Sequence, residues 1–273
     1  MSLDDIDPFQ KYDFEKRNKN KQDLNKIIIS IEGNIGVGKS TFVKIIQDNI
    51  SDSEIVDEPV ELWKGLTDSD GQNILGKFYA DIPRWAYSFQ NLACITRMMK
   101  IEDTINKTTA KHIFLDRSLG TDKHVFEKML YDNKQISEIE HKMYNLWCDF
   151  YHKYIRPEFN NIIVYLRCSA ETSKQRINKR GREEEQTISL EYLTDLRKYH
   201  EAWLMDKTKD NVIVIDCDRE FESDLDYQLE IINQVENGIK NIIDKMEFSI
   251  KNKLLIQVDN LEENSNQIYN KLK

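Results

Sequence analysis

The stretch IIISIEGNIGVGKST, residues 27–41, decides the fold of this chain. Its first five residues, Ile27 to Ile31, form a β-branched run that is typical of a buried strand. Residues 33–40 then fit the pattern GxxxxGK(S/T), and a helix-like segment, Thr41 to Ile50, follows. Glycines in such a turn let the backbone come close to a ligand, and N–H groups at the start of the helix point toward negative charge. The stretch therefore predicts a strand, a phosphate-binding loop and a helix.

The loop carries two side chains suited to a nucleotide and its metal ion. Lys39 would bring a positive charge to the β- and γ-phosphates, and the Ser40 hydroxyl would ligate Mg²⁺. ATPases, GTPases and small-molecule kinases share this loop, so the acceptor of a phosphoryl group has to be inferred from other residues. The loop residues expected to bind ATP are Gly33, Asn34, Ile35, Gly36, Val37, Gly38, Lys39, Ser40 and Thr41.

Composition limits the class of protein. A chain of 273 residues that is 40% hydrophobic suits one large α/β domain or two small ones. The formal net charge of −9 argues against a general nucleic-acid binder. No run of about 18 apolar residues occurs, so we expect no membrane span. The four cysteines form no CxxC pair, which predicts reduced, buried thiols.

Composition also divides the chain into three parts. Residues 1–25 are highly charged and predict a loosely ordered arm that resembles neither a secretory signal nor a transit peptide. A cytoplasmic location is therefore expected. Residues 26–246 hold the apolar segments of a folded domain. Residues 247–273 are rich in Asn and Lys and predict a polar helical extension.

Short apolar runs recur along the folded domain, with helical stretches between them. Strands that alternate with helices predict a parallel, doubly wound sheet, here a three-layer α/β fold of the P-loop NTPase type with five strands. Ligands bind such sheets at the carboxyl ends of the strands. The predicted strands after the first are Glu54–Val56, His112–Leu115, Asn161–Leu166 and Asn211–Ile215, and the predicted helices are Trp85–Ile105, Leu119–Leu130, Ile139–Tyr154 and the stretch from Glu222 onward.

Charged residues follow the second and third predicted strands. Glu58 precedes Pro59 after the second strand, and Asp116 and Arg117 follow the third. Each residue alone is equally compatible with a solvated loop. Together they offer a base, an acid for a metal ion and a cation for developing charge, which are the groups that phosphoryl transfer to a hydroxyl needs.

A basic segment follows the fourth predicted strand. Arg176 and Arg180 are four residues apart and share a helix face, and Arg182 follows Gly181, which can act as a hinge. Arginines on a mobile segment can close over phosphates and exclude water. Taken alone, the segment is also compatible with a solvated charged turn.

In this order, the motifs resemble the deoxynucleoside kinase family. The phosphate loop, Glu58-Pro59, Asp116-Arg117-Ser118 and residues 180–186 carry the resemblance. Residues 84–90, RWAYSFQ, look like the family's base-binding helix, and residues 190–204 look like the segment after its lid. The resemblance covers residues 27–221 and leaves both termini outside.

The resemblance implies a role for each matching residue. Glu58 would be the general base on the 5′-hydroxyl, Arg117 would hold the base and the hydroxyl in line, and Ser40 and Asp116 would serve Mg²⁺. The other matching residues would be the lid cations Arg176, Arg180 and Arg182, Glu220 and Phe221 around the ATP base, Tyr79 and Glu185 at the 3′-hydroxyl, and Gln90, Phe126, Trp63 and Phe89 at the nucleobase. For Trp63, Phe89 and Phe126 the alternative is ordinary core packing.

Arg97 and Asp122 indicate a branch of that family. Gln90 and Arg97 are seven residues apart and share a helix face, and Asp122 follows Arg117 at a spacing similar to that of deoxycytidine and deoxyguanosine/deoxyadenosine kinases. Family members are usually homodimers, so the resemblance implies a homodimer. We expect ATP-dependent 5′-phosphorylation of a purine deoxynucleoside or deoxycytidine in nucleotide salvage. A nucleoside monophosphate kinase and a non-catalytic, nucleotide-regulated binding protein are the alternatives.

Overall fold

Five parallel strands form one sheet in the computed structural model, which describes residues 26–155, 162–182 and 185–271. The predicted α/β fold with a five-stranded parallel sheet is therefore confirmed, whereas the predicted arm, residues 1–25, lies outside the described residues. The strands are β1 (Ile27–Gly33), β2 (Ser53–Val56), β3 (His112–Asp116), β4 (Ile162–Arg167) and β5 (Val212–Asp216), and their order is β2-β3-β1-β4-β5.

Strand β1 lies at the centre of the sheet and determines where the phosphate loop emerges. Its Ile31 is in register with Asp116 at the end of β3, and Gly33 is in register with Leu166 of β4. The loop after Gly33 therefore leaves the sheet beside the end of β3. This topology brings the loop next to Asp116 and Arg117, which are more than 75 residues away in the chain.

Helices connect the strands and cover both faces of the sheet. Ile29 and Ile31 pack with one set of helices and Ile28 with another, because successive side chains of a strand point to opposite faces. The helices are α1 (Lys39–Asn49), α2 (Val60–Gly65), α3 (Ile74–Ala80), α4 (Ile82–Lys107), α5 (Leu119–Thr121), α6 (Lys128–Asp132), α7 (Glu138–Phe150), α8 (Ala170–Arg180), α9 (Leu190–Leu204) and α10 (Leu225–Lys271).

Several helices differ from the expectations. Helices α2 and α3 lie between the second and third strands, where the sequence predicts only a helix corresponding to α4. The helix predicted over Leu119–Leu130 is interrupted by a π-helical turn, Asp122–Glu127, which joins α5 to α6, and a second such turn, Tyr151–Ile155, follows α7. The first π turn carries two residues predicted to line the acceptor site, in keeping with the frequent occurrence of π turns at functional sites.

Helix α10 packs against the sheet through its first half. It comprises 47 residues, which at 1.5 Å per residue makes it about 70 Å long. Val235, Ile239 and Ile242 are buried in the core against the sheet. Beyond Met246 the described side chains are exposed, and Phe248 is 67% exposed.

All four cysteines are free and buried, as predicted. Within the described residues, no helix combines the length and the apolar character needed to cross a bilayer. The cytoplasmic location stays a prediction.

Candidate active site

The phosphate loop packs so closely that two of its glycines are required. Gly36 and Gly38 have φ angles of 79° and 107°, in the left-handed region that other residues adopt at a cost. A Cβ on Gly36 would lie 2.5 Å from the carbonyl oxygen of Ser173, and one on Gly38 would lie 2.8 Å from the ring of Phe221. The loop therefore follows a path that only glycine allows at these positions.

Lys39 lies buried inside this loop. Its Nζ donates to the carbonyl oxygens of Asn34 at 2.9 Å and of Gly33 at 3.3 Å. Burial lowers the pKa of Lys39 to about 7; the charge of Arg117 acts in the same direction, and that of Asp116 opposes it. A bound triphosphate would supply full negative charges in place of these carbonyl dipoles.

Arg117 follows β3 in a left-handed backbone conformation. Its φ angle is 66°, and such a conformation costs a non-glycine residue roughly 1–3 kcal/mol. Its Nη1 donates to both carboxylate oxygens of Glu58, at 3.0 and 2.9 Å, and its guanidinium lies 5.3 Å from the ring centroid of Phe126. Backbone strain of this kind clusters at functional sites, and here it accompanies an arginine that lines a cavity.

Arg97 of α4 joins two carboxylates that line this cavity, those of Glu58 and Asp122. It is 3% exposed, and its Nε and Nη2 donate to Asp122 at 2.8 and 3.3 Å. Nη2 also donates to Glu58 at 2.9 Å, and Nη1 donates to the carbonyl oxygen of Asp116 at 2.9 Å. Four of its five N–H groups are thereby engaged. The contact with Glu58 is not evident from the sequence.

Glu58 consequently has a strongly acidic carboxyl group. Burial alone would raise its pKa, but the charges of Arg117, Arg97 and Lys39 outweigh burial and lower the pKa to about 2. Glu58 is therefore ionised at neutral pH and can only accept hydrogen bonds.

Asp116 and Ser40 suit a magnesium ion that is held partly by phosphates. Both line the cavity, and Asp116 Oδ1 is buried without a hydrogen-bond partner in the described part of the chain. Burial raises the pKa of Asp116, and the charge of Lys39 opposes that change. No three His, Cys, Asp or Glu side chains cluster as a metal cage among the described residues. Magnesium commonly uses one or two carboxylates together with substrate phosphates, so these two residues fit it.

Aromatic side chains form the far wall of the cavity, whose volume is about 950 Å³. Phe89 packs edge-on against Trp63, with ring centroids 5.3 Å apart, and stacks on Phe78 at 4.7 Å. The Trp63 indole donates to the Thr96 hydroxyl at 3.0 Å, which fixes its ring. Gln90 Oε1 is buried and has no partner among the described residues. This wall offers a flat apolar slot with one free amide oxygen.

Glu185 is the contact point of the basic residues at the end of α8 and directly after it. Its carboxylate accepts a hydrogen bond from Arg180 Nη2 and another, at 3.3 Å, from Arg182 Nη1. Tyr79 lines the same part of the cavity, and burial raises the pKa of its hydroxyl, with Tyr192 and Glu185 adding to the effect. The phenol is therefore a neutral donor beside a carboxylate.

The opposite end of the cavity lies between the phosphate loop and the loop after β5. Arg176 Nη1 donates to the carbonyl oxygen of Val37 at 2.7 Å, and its guanidinium lies 5.5 Å from the Phe221 ring centroid. Phe221 is buried against Gly38, whereas Glu220 is exposed and accepts a hydrogen bond from Ser223 Oγ at 2.9 Å. Glu220 thus shapes its own loop.

The structure gathers most of the predicted site residues around this one cavity. Three residues of the phosphate loop do not line it. Gly33 ends β1, Val37 is buried in the core, and the Asn34 amide donates to the carbonyl oxygen of Leu193 at 2.9 Å. These three residues therefore support the path of the loop. They can still take part in phosphate binding, because phosphate contacts in such loops come from backbone N–H groups.

A family model described as deoxynucleoside kinase matches residues 29–240. The chain belongs to the deoxynucleoside kinase family. Deoxycytidine kinase of Homo sapiens is 36% identical over 197 residues, covering 66% of this deoxynucleoside kinase and 76% of the human protein. Deoxycytidine kinase 2 of Gallus gallus is 31% identical over 239 residues, which cover 77% of this chain and 89% of the chicken protein. The mitochondrial deoxyguanosine kinase of Xenopus laevis is 28% identical over 235 residues, which cover 76% of this chain and 87% of the Xenopus protein.

Sequence reasoning missed several residues at the site of this deoxynucleoside kinase, among them Phe78, Ala93 and Glu32. Phe78 and Ala93 line the cavity, and Glu32 is buried on β1, bonded to Ser118 next to Arg117. Ala93 lies one helical turn after Gln90 and shares its face. Glu32 could have been found as the one charged residue in an otherwise apolar strand, next to Gly33. Phe78 gave no comparable signal.

Proposed function

We propose that this deoxynucleoside kinase transfers the γ-phosphate of ATP to the 5′-hydroxyl of deoxycytidine or a purine deoxynucleoside, with Glu58 as the general base. The observation that carries the proposal is the Glu58 carboxylate, which Arg117 and Arg97 hold in the same cavity as Lys39 of the phosphate loop. A base, a cation and a phosphate site in one cavity meet the geometric needs of in-line transfer.

The low pKa of Glu58 is compatible with this role. Phosphoryl transfer passes through a loose transition state in most analyses, so the hydroxyl needs alignment more than early deprotonation. An ionised Glu58 accepts the hydroxyl hydrogen, and Arg117 keeps the carboxylate oriented. The negative charge of bound ATP would offset Lys39 and Arg117 and so raise the pKa of Glu58 when the base is needed.

The lid arginines link the two substrates. Arg180 and Arg182 both contact Glu185, the residue proposed to bind the 3′-hydroxyl. A closing lid would therefore bring the phosphate-binding cations and the sugar-binding carboxylate together and exclude water. Mg²⁺ held by Ser40 and Asp116 would neutralise charge on the β- and γ-phosphates.

The charges on the acceptor side disfavour a nucleoside monophosphate kinase. Such an enzyme needs free cations for the phosphate of its acceptor. Arg97 and Arg117 are both paired with carboxylates, and Glu58 would repel that phosphate. A non-catalytic nucleotide-binding protein would need no base, metal acid and lid cations around one cavity, so it is also disfavoured.

The choice of nucleobase would depend on Gln90, Arg97 and Asp122. Asp122 can accept from an exocyclic amine of cytosine or adenine and repels a carbonyl oxygen. Arg97 has one N–H group left, on Nη1, which could reach a purine acceptor such as N7 or O6. Thymine offers a carbonyl and a methyl group at this edge, so thymidine should be the poorest natural substrate.

Coupled ADP release with each of the four natural deoxynucleosides tests the function. We expect turnover that requires a deoxynucleoside and is lost in Lys39→Ala and Glu58→Gln. Glu54→Gln, the same change at an exposed position of β2, is the matched control and should retain wild-type activity. ADP release only with nucleoside monophosphates, or none with any nucleoside, would overturn the proposal.

The proposed homodimer is supported by an apolar surface on two neighbouring helices. Ile95 and Met99 of α4 are 44% and 65% exposed, and α7 packs beside α4 through the buried cluster at Cys94. The exposed apolar residues of α7 lie at helical spacing, which is typical of a docking face. They are Ile139, Met143, Leu146 and Trp147.

Size-exclusion chromatography with light scattering tests the dimer. Met99→Glu combined with Trp147→Glu should convert a dimer into a folded monomer, because each change puts a charge into an apolar contact. Leu225→Glu, at an equally exposed position of α10, is the control and should remain dimeric. A wild-type protein that elutes as a monomer would refute this proposal.

A further inference from the structure

Glu32 is a buried charge that the proposed reaction does not use. It lies on β1 directly before Gly33, it is 0% exposed, and the two residues before it, Ser30 and Ile31, are also fully buried. Burying a carboxylate costs several kcal/mol unless hydrogen bonds replace its lost water. The origin of those hydrogen bonds indicates what Glu32 holds.

The hydrogen bonds to Glu32 come from the segment directly after Arg117. Glu32 Oε1 accepts from the backbone N–H of Ser118 at 3.0 Å and from the Ser118 hydroxyl at 2.5 Å. Oε2 accepts from the Thr121 hydroxyl. The Ser118 hydroxyl in turn accepts from the N–H of Gly120 at 3.1 Å and caps the start of α5. The carboxylate therefore accepts three hydrogen bonds from two residues of the strand-to-helix turn, Ser118 and Thr121.

Arg117 lies within that turn, immediately before the first anchored residue. Its own N–H donates to the carbonyl oxygen of Ile31 at 3.1 Å, and Ser118 on its other side is anchored by Glu32. The left-handed backbone of Arg117 is thus clamped between two adjacent residues of β1. A strained conformation persists only where its surroundings over-determine it, and these bonds do so.

We propose that Glu32 is a positioning residue for phosphoryl transfer: its carboxylate locks Ser118 and Thr121, so that Arg117 keeps its guanidinium on Glu58. The proposal rests on the function assigned above to Glu58 and Arg117. Because β1 continues into the phosphate loop, the same strand positions the cation of the acceptor side and the site of the donor phosphates.

The charge of Glu32 matters as well as its shape. Burial raises the pKa of Glu32, and the hydrogen bonds from Ser118 and Thr121 oppose that change, because three converging donors favour a carboxylate that only accepts. Glutamine has the same length, but its NH₂ group would face a donor and leave one group unsatisfied. Negative charge at the start of a helix is also favourable, and glutamine removes it.

The test compares Glu32→Gln with the matched control Glu54→Gln in steady-state kinetics. We expect kcat to fall about tenfold or more in Glu32→Gln, with KM for ATP changed less than about threefold, because the phosphate loop itself is untouched. In a protein that already carries Arg117→Ala, Glu32→Gln should lower kcat less than about twofold, because Glu32 acts through Arg117. Additive losses in the two backgrounds, or an unchanged kcat, would overturn the proposal.

A second measurement does not depend on turnover. In protein labelled with ¹⁵N-arginine, the Arg117 guanidinium should give a slowly rotating, ordered signal in the wild type and an averaged one in Glu32→Gln. If Glu32→Gln does not fold, Thr121→Val removes a single donor and should show a smaller change in the same direction. A wild type with no kinase activity would reject the proposed function, whereas an unchanged guanidinium signal in a folded variant would reject the role of Glu32.

Discussion

Nucleotide binding should take up a proton at Lys39, and raising the pH should therefore weaken it. Burial and the charge of Arg117 lower the pKa of Lys39 to about 7, so near neutral pH a large fraction of this side chain is uncharged. The phosphates of a nucleotide favour the ammonium form and raise its pKa on binding. The nucleotide-bound protein therefore holds more protons than the free protein, so its affinity for the nucleotide falls as the pH rises above 7.

The size of this loss in nucleotide affinity follows from the pKa of Lys39 in the free protein. With a pKa of about 7, the uncharged fraction is about 0.76 at pH 7.5 and about 0.99 at pH 9. If the bound pKa stays above about 10, affinity should fall about 24-fold between these two pH values. The terminal phosphate has a second pKa of about 6, so it is already ionised over this range and does not contribute.

Isothermal titration calorimetry with ADP measures the proton uptake directly. Titrations in buffers of different ionisation enthalpy at pH 7.5 should give an uptake of about 0.8 proton. Lys39→Arg is the matched control, because arginine stays charged and should show almost no uptake. An uptake below about 0.2 proton in the wild type, or the same uptake in Lys39→Arg, would contradict the reasoning.

Three further predictions concern the base, the nucleobase pocket and the C-terminal extension. Glu58→Gln should lower kcat by about 10²–10⁴-fold with little change in KM for the nucleoside, and a loss below about threefold would reject Glu58 as the base. Arg97→Met combined with Asp122→Ala should raise kcat/KM for thymidine relative to the other deoxynucleosides, whereas Asp122→Ala alone should give a smaller gain because it removes two of the four hydrogen bonds of the buried Arg97; a wild type that prefers thymidine would refute the assignment to this branch of the family. Removal of residues after Met246 should leave kcat and the melting temperature nearly unchanged, since the described side chains beyond it are exposed, and inactivity of the folded truncated protein would show that the extension serves the site.

The phosphate site could be predicted from the sequence because its pattern is local. A β-branched run, three glycines and a lysine within fifteen residues specify a strand, a turn and a helix without help from the rest of the chain. Alternating strands and helices then predict a parallel sheet. In such a sheet the strand ends meet at one edge, which is why Glu58, Asp116 and Arg117 could be expected near the loop.

The contacts among those residues could not be predicted in the same way. Whether Arg97 reaches Glu58 as well as Asp122 depends on how α4 crosses the ends of β2 and β3, and that follows from packing of the whole domain. The pKa of Glu58, about 2, likewise depends on three cations from three separate segments. In the sequence, Glu32 is a charge without an evident partner. Only the structure shows that the hydroxyls of Ser118 and Thr121 donate to it.

The sequence by itself determined the fold class and the position of the phosphate loop, because both depend on residue type and on short-range periodicity, and its resemblance to the family implied most of the side chains around the cavity. The tertiary structure alone decided which carboxylate each arginine holds, which of them is strongly acidic, and that a buried glutamate clamps the strained turn at Arg117. The physical reason is distance: hydrogen bonds and charges act over a few ångströms, and residues 32, 58, 97 and 117 come within that range only after the strands and α4 have packed.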